Sequence, residues 1–109
     1  MTTSRIAVVS TDVKTVNDHF GRAERFLIYD VDDKITFVEE RLTEKYSIGD
    51  PNHDFDPQKF NRSANLLKDC SRIYVSRIGE RPESELQKLG TEPVIYDGLI
   101  DRIPDYAAS

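Results

Sequence analysis

The chain has 109 residues, and its 15 lysines and arginines against 20 aspartates and glutamates give a formal net charge of −5. This length predicts a single domain over residues 1–109, because two independent cores need a longer chain. The acidic balance argues against general nucleic-acid binding, which needs a basic face for phosphate contacts. The apolar runs are too short to span a membrane. With one cysteine and no apolar signal segment before the first strand-like run, we expect a cytoplasmic protein.

The first half of the chain predicts three strands. Residues 5–10 form a short apolar run rich in β-branched side chains, which is typical of a strand buried on both faces. The polar segment 11–25 that follows predicts a long loop or a short helix. Two further β-rich runs, 26–31 and 34–41, are separated by Asp32-Asp33 and predict a hairpin.

The second half alternates helices and strands. Residues 42–56 predict a long irregular segment, and segments of this length in a small domain are usually functional or mobile. Asp56-Pro57 has the pattern of a helix N-cap followed by proline in the first turn. The elements predicted from there are a helix to residue 68, a strand over 72–76, a helix over 82–89 ending at Gly90, a strand over 93–96 and a weak helix over 98–107 interrupted by Pro104.

The resulting order, β-β-β-α-β-α-β-α, predicts an α/β fold in which a mixed sheet has helices on both faces. The first and fourth strands are the most uniformly apolar, so we expect them to be central and parallel. Ligands of such sheets bind at the carboxyl ends of the strands. Those ends are Ser10-Thr11 and residues 76–79, which include Arg77 and Gly79. Topology alone therefore predicts a site between these two polar loops.

Three side chains could ligate a metal. His19 lies in the loop after the first strand, and its imidazole either binds a metal or an anion or is hydrogen-bonded to the backbone. Cys70 would be a strong iron ligand as a thiolate, but its place at the amino end of the fourth strand is also typical of a small buried residue. His53 is either a solvated loop residue or a second ligand if its loop folds over a bound group.

The charges of the two loops differ from those of the rest of the chain. Residues 14–25 sum to +1 and residues 72–81 to +2, so the remaining residues must sum to −8. A positive cleft at this edge of the sheet would suit a compact anion. The alternative is that these arginines form ordinary surface ion pairs with Glu24 and Glu80.

The chain carries no recognisable enzyme motif, because it has no paired-carboxylate motif in a recognisable setting, no P-loop and no Cys-x-x-Cys. A single cysteine also excludes a cluster held by four thiolates of this chain. Any iron–sulfur unit would therefore be a guest held by one or two ligands and by charge. A metal-dependent hydrolase is disfavoured, because it needs several acidic metal ligands in a cleft that is here expected to be basic.

Several blocks of the chain resemble the dinitrogenase iron–molybdenum cofactor biosynthesis family. These blocks are residues 6–10, 16–23 (Val-Asn-Asp-His-Phe-Gly-Arg-Ala), 26–30, 67–70 (Leu-Lys-Asp-Cys), 76–79 (Ser-Arg-Ile-Gly) and Pro82. The resemblance covers residues 5 to 96. It is closest to the carboxy-terminal domain of the radical enzyme that builds the cofactor core, and to the stand-alone carriers related to that domain.

The resemblance implies a three-layer α/β/α, ribonuclease-H-like domain with a five-stranded mixed sheet. It implies a non-enzymatic carrier of anionic iron–sulfur or iron–molybdenum cofactor precursors, which exchanges them with metallocofactor assembly proteins as a monomer or weak homodimer. His19 would be the first ligand, Arg22 and Arg77 would balance charge, and Gly79 would let the backbone approach the guest. Ser10 completes this predicted site, and Cys70 matches the Asp-Cys position of the family.

The chain departs from the family pattern at one place. Close relatives often carry a cysteine in a Tyr-Cys-x-Gly string, where this chain has Tyr46-Ser47-Ile48-Gly49. Serine is a poor ligand for a soft cluster. This departure and the long segment 42–56 keep a second hypothesis open, in which the chain is a regulatory or scaffolding module that binds a partner protein without a cluster.

Overall fold

A computed structural model describes residues 4–20, 23–43 and 57–104, with only the backbone described at residues 57–59. The described residues form a five-stranded sheet, a separate two-stranded ribbon and two helices. In chain order the elements are β1 (Ser4–Val8), β2 (Thr15–Val16), β3 (Arg25–Val31), β4 (Ile35–Leu42), α1 (Pro57–Asn65), β5 (Arg72–Val75), α2 (Glu80–Lys88), β6 (Glu92–Ile95) and β7 (Gly98–Leu99).

The main sheet has the order β4-β3-β1-β5-β6, with β1 at its centre. β1 pairs antiparallel with β3 and parallel with β5, so that Ala7 lies opposite Ile28 on one side and Ile73 on the other. These strands are almost uniformly apolar because both faces of the sheet centre are covered. β3 and β4 form an antiparallel hairpin, and β5 and β6 are parallel.

Both helices lie against one face of the sheet. Residues of β1, β3 and β5 on this face contact α1 through Phe60 and Ala64 and contact α2 through Leu86. Phe20, from the loop after β1, belongs to the same core. Removing this apolar surface from water is the main force that holds the helices on the sheet.

The opposite face is covered by a smaller layer. β2 and β7 form the two-stranded ribbon, in which Thr15 pairs with Leu99. A 3₁₀ turn at Ile100–Arg102 follows β7. Val16, Ile100 and Ile103 pack against the side chains that β1, β3 and β5 present on this face.

Most of the predicted architecture is confirmed. The hairpin, the mixed five-stranded sheet, the parallel pairing of the first and fourth predicted strands, and the two internal helices are all present. The expected helix over 98–107 is wrong at its start, since residues 98–102 form β7 and the 3₁₀ turn. Residues 103 and 104 are helical, so within the described residues a helix begins directly after this turn. Among these residues, no helix has the length and apolar character needed to cross a bilayer.

Candidate functional site

The site begins where β1 leaves the sheet. The Val9 N–H still donates to the Tyr74 carbonyl at 3.0 Å, but the chain then turns away and forms β2. It returns at Asp18, whose carbonyl accepts the Ser76 N–H at 3.1 Å, and the Phe20 N–H donates to the Arg77 carbonyl at 3.0 Å. The returning residues thus take up the position beside the end of β5 that β1 has left.

The turn that opens this excursion is held by Ser10 and Asp12. The Ser10 hydroxyl accepts the Val13 N–H at 3.0 Å and donates to the Asp12 carboxylate at 3.1 Å. Hydrogen bonds from Thr15 and Lys14 hold the pKa of Asp12 well below its usual range. Together they stabilise Val13 at a φ of 63°, a conformation that is costly for a β-branched residue. Ser10 therefore has a structural role within the predicted site.

His19 and Arg77 form a parallel β-bridge. Such pairing brings two backbones to the spacing of neighbouring strands, about 4.8 Å. His19 is half-buried and Arg77 is exposed. The structure thus brings together the two loops that topology predicted to lie side by side.

Two neighbours of His19 fix its backbone. Phe20 is 1% exposed, and its ring lies 5.9 Å from that of Phe26 and 6.1 Å from that of Phe60. On the other side, the Asp18 carboxylate accepts the His19 N–H at 2.8 Å. His19 is therefore held in the loop by a buried aromatic anchor and by a carboxylate.

Gly79 lies directly before α2 and has an ordinary extended conformation, with a φ of −72° and a ψ of 158°. A Cβ added there would meet the Pro82 ring at 3.5 Å, which is normal van der Waals contact. The fold itself therefore does not require glycine at this position. Arg22, another predicted site residue, lies outside the described residues.

A cavity of about 480 Å³ lies beside the returning segment. Its described lining residues are Val9, Ser10, Thr11, Asp18, Ala23, Glu24, Arg25, Glu40 and Leu42. His19 and Arg77 are not among them. The described part of the predicted site is therefore divided between the His19–Arg77 bridge and this neighbouring cavity.

The described lining of the cavity is acidic, unlike the predicted basic cleft. Three carboxylates, from Asp18, Glu24 and Glu40, face one guanidinium, from Arg25. Arg25 is also engaged, because it donates to Glu40 at 3.0 Å and to the Thr11 carbonyl at 3.4 Å. A compact anion is therefore better matched to the His19–Arg77 bridge than to the cavity.

Arg72 does not belong to this edge of the sheet. It is the first residue of β5, and its Nε lies 3.5 Å from a carboxylate oxygen of Glu92. Counting Arg72 with the carboxyl-end loops was therefore wrong, because it lies at the amino end of the same strand.

Cys70 also lies at the amino end of β5, two residues before its start at Arg72 and away from His19. It is 4% exposed and belongs to the core under α1. Burial, with the nearby charge of Asp69 adding to it, raises the pKa of the Cys70 thiol to about 12. A neutral thiol is a poor metal ligand, so a ligand role for Cys70 stays a prediction that its surroundings disfavour.

The charged groups next to Cys70 form a continuous network. Asp69 accepts hydrogen bonds from Arg41 at 2.7 and 2.9 Å and from Arg5 at 3.2 Å. These arginines hold the pKa of Asp69 well below its usual range, with Arg41 contributing most. Arg5 also binds Asp30 through Nε and Nη2. The network links β1, β3 and β4 to the turn before β5, which is a structural role.

The described residues do not supply a complete metal centre. In this part of the chain, no group of three or more His, Cys, Asp and Glu side chains is arranged to hold a metal ion. His53 and Ser47 lie outside the described residues. A guest contacted by His19 and by charge therefore stays a prediction at this point.

Sequence reasoning missed Asp18 and assigned Arg25 only a net charge. Asp18 contributes to the bridge through its carbonyl, to His19 through its carboxylate, and to the cavity wall. The available signal was its position directly before His19, since aspartate often accepts hydrogen bonds from nearby backbone N–H groups. The Arg25–Glu40 pair depends on the register of β3 and β4, which composition does not reveal.

Comparison with known proteins gives consistent matches. A family model described as "Dinitrogenase iron-molybdenum cofactor" matches residues 3–103. The FeMo cofactor biosynthesis protein NifB of Frankia alni is 37% identical over 99 residues, which are 89% of this chain and 19% of that protein. Protein NifX of Azotobacter vinelandii is 27% identical over 90 residues, or 83% of this chain and 54% of NifX. The chain thus spans about a fifth of the NifB protein that it matches.

Two solved structures share the fold. The crystal structure of PH0822 has a TM-score of 0.65 at 22% identity and covers 94% of this chain and 88% of its own. An NMR structure of a Thermotoga protein has a TM-score of 0.61 at 23% identity, and the match covers 96% of this chain and 87% of the Thermotoga chain. At these identities the likeness concerns the fold alone.

Proposed function

Because the chain belongs to the dinitrogenase iron-molybdenum cofactor family, we propose that it binds an anionic iron–sulfur or iron–molybdenum cofactor precursor without catalysing its conversion. Similarity to NifB and NifX supports a role in FeMo-cofactor biosynthesis. The precursor is cargo, received from and passed to other assembly proteins. We extend the proposal to a ribonuclease-H-like arrangement of the fold and to a cytoplasmic location.

The observation that carries the proposal is the bridge between His19 and Arg77. An imidazole can coordinate iron, and a neighbouring guanidinium stabilises negative charge. Both residues lie at the carboxyl ends of the central strands, where α/β sheets bind ligands. His19 would coordinate the precursor and Arg77 would balance its charge, with Arg22 in the same role.

Ser10 and Gly79 support these residues. Ser10 holds the turn by which the chain leaves β1. Gly79 leaves the backbone before α2 uncovered by a side chain, which would allow a bulky guest to approach it closely. Cys70 is a second, separate candidate ligand, and its use would require the buried thiol to become exposed and deprotonated.

The test is anaerobic titration of the apoprotein with isolated iron–molybdenum cofactor and, separately, with a synthetic [4Fe–4S] cluster, followed by absorbance. We expect His19→Ala to weaken binding about tenfold or more, because it removes the first ligand. Arg77→Ala should have a smaller effect that declines with added salt, since Arg77 is exposed.

Lys34→Ala is the matched control, since it removes one positive charge at the exposed β3–β4 turn, at the other end of the sheet. It should bind like the wild type. Equal affinity of the wild type and the His19→Ala variant would remove His19 from the site. If Arg77→Ala and Lys34→Ala lose the same amount of affinity, Arg77 contributes only to the overall charge of the protein and not to the site.

The second candidate function is a regulatory or scaffolding module that binds a partner protein without a cluster. The acidic lining of the described cavity favours it, because three carboxylates against one guanidinium do not suit an anion. Anaerobic purification from native cells distinguishes the two. A stable protein complex without iron would support the module, whereas iron that co-purifies with the wild type and not with the His19→Ala variant would support the carrier.

A further inference from the structure

We propose that Asp18 is the positioning residue of the His19–Arg77 bridge, and that it acts through its hydrogen-bond acceptor rather than through its charge. The proposal rests on the proposed function for its binding readout alone. Its structural readout is independent of any ligand.

Asp18 holds the site at two points. Its backbone carbonyl accepts the Ser76 N–H at 3.1 Å and so joins the returning segment to the end of β5. Its carboxylate accepts the His19 N–H at 2.8 Å. One residue therefore attaches the strand end to the loop and orients the backbone from which the imidazole projects.

The carboxylate is required because the His19 N–H points away from the ladder. The bonds between the returning segment and β5 use the Asp18 carbonyl and the Phe20 N–H, and leave the His19 N–H to the side chain of Asp18. His19 is half-buried. A donor in such a place that loses its acceptor destabilises the local conformation.

The charge of Asp18 acts against the proposed cargo. Asp18 is half-buried on the wall of a cavity whose described lining already carries two other carboxylates. A negative group beside His19 repels an anionic guest, so the geometry of the carboxylate helps binding while its charge opposes it. Asparagine keeps an acceptor oxygen and removes the charge, which makes the two contributions separable.

The first experiment measures amide hydrogen exchange by NMR in the apoprotein. We expect Asp18→Ala to speed exchange at His19 and Phe20 roughly three- to tenfold, the effect of losing one ordinary hydrogen bond. Asp18→Asn should exchange like the wild type. Asp33→Ala removes an exposed carboxylate at the distant β3–β4 turn and should change nothing at His19.

The second experiment repeats the anaerobic titration with isolated iron–molybdenum cofactor. The expected order of affinity is Asp18→Asn equal to or tighter than the wild type, and Asp18→Ala weaker by roughly three- to tenfold. Both substitutions remove the same carboxylate, so a difference in affinity between two folded variants reports the acceptor oxygen and not the charge. Asp18→Val provides a second variant without an acceptor, in a β-branched residue that suits extended backbone.

Unchanged exchange at His19 in both Asp18→Ala and Asp18→Val would overturn the proposal, as would an asparagine variant as defective as alanine. If neither acceptor-free variant folds while the asparagine variant does, the acceptor oxygen supports the whole fold and the specific positioning role is also overturned. If the wild type binds no cofactor but the exchange pattern is as expected, the proposed function fails and the positioning role stands.

Discussion

The two ends of the central strands differ in how their polar groups are used. At the amino end, Arg5 and Asp69 belong to a network that extends along β4 to Arg41, and in it each charge has an opposite partner. At the carboxyl end, His19 and Arg77 are joined by backbone pairing, and an acidic cavity lies beside them. The network ties strands together through charge, whereas the His19–Arg77 bridge joins its two segments through the backbone.

This difference shows why charge counts along the chain did not locate the site. Arg72 and Arg77 are five positions apart in the sequence, yet one begins β5 and the other follows its end. Because an extended strand rises by about 3.3 Å per residue, the residues at its two ends lie at opposite edges of the sheet. We therefore expect substitutions at the amino end to change stability alone, and substitutions at the carboxyl end to change local order and binding.

The largest expected effect is on the rate at which the Cys70 thiol is labelled. With its pKa raised to about 12 by burial, the thiol should react with iodoacetamide at pH 8 on the order of a thousandfold more slowly than an unperturbed cysteine. The rate of labelling of the native protein, compared with the same protein in urea, measures this. Fast native labelling would contradict the burial of Cys70 and would restore it as a candidate ligand.

Phe20 gives the next largest effect, because it anchors the returning segment. Phe20→Ala should lower the free energy of unfolding by about 3 to 4 kcal/mol, the usual cost of a cavity left by a buried phenylalanine. Phe37→Ala is the matched control, since Phe37 is 53% exposed, and it should cost about 1 kcal/mol. Urea denaturation compares them, and similar losses would mean that Phe20 is not an anchor.

Asp69 gives the smallest effect and tests the amino end. Asp69→Asn should lower the free energy of unfolding by about 1 to 2 kcal/mol at pH 7. Because the folded pKa of Asp69 lies below its usual range, its contribution is present above about pH 4 and is lost as the pH falls further. The difference from the wild type should therefore narrow in acid.

Asp33→Asn, at an exposed turn, is the control for Asp69. At pH 7 it should lower the free energy of unfolding clearly less than Asp69→Asn does. If the free energy of unfolding of Asp69→Asn stays below that of the wild type by the same amount down to pH 2, packing rather than the ionised network accounts for the difference. Weaker cofactor binding by the Asp69→Asn variant would contradict the division of roles between the two ends.

The elements were largely predictable because their signals are local. The β-branched run of β1 and the acidic turn of the hairpin predicted strands that the structure confirms. Gly90, predicted to end the second helix, has a φ of +91° directly after the C-cap Leu89. The pairing of β3 and β4 also contains a register shift between Ile28 and Tyr29. That shift depends on two strands and has no signature in either one.

The site was predictable only in outline. Topology placed the loops of His19 and Arg77 together, since carboxyl ends of parallel strands meet at one edge. The part played by Asp18 was missed, because its two hydrogen bonds require the excursion to return beside β5. The predicted roles of His19, Arg77 and Gly79 in binding stay predictions.

The sequence by itself determined the strands, the helices and their alternation, because apolar periodicity and turn residues act over a few neighbouring positions. Only the tertiary structure decided that the chain re-enters the sheet at residues 18–20, that Arg25 faces Glu40, and that Arg72 lies far from Arg77. Those outcomes depend on pairing between distant strands, where each partner is chosen by the packing of the whole sheet.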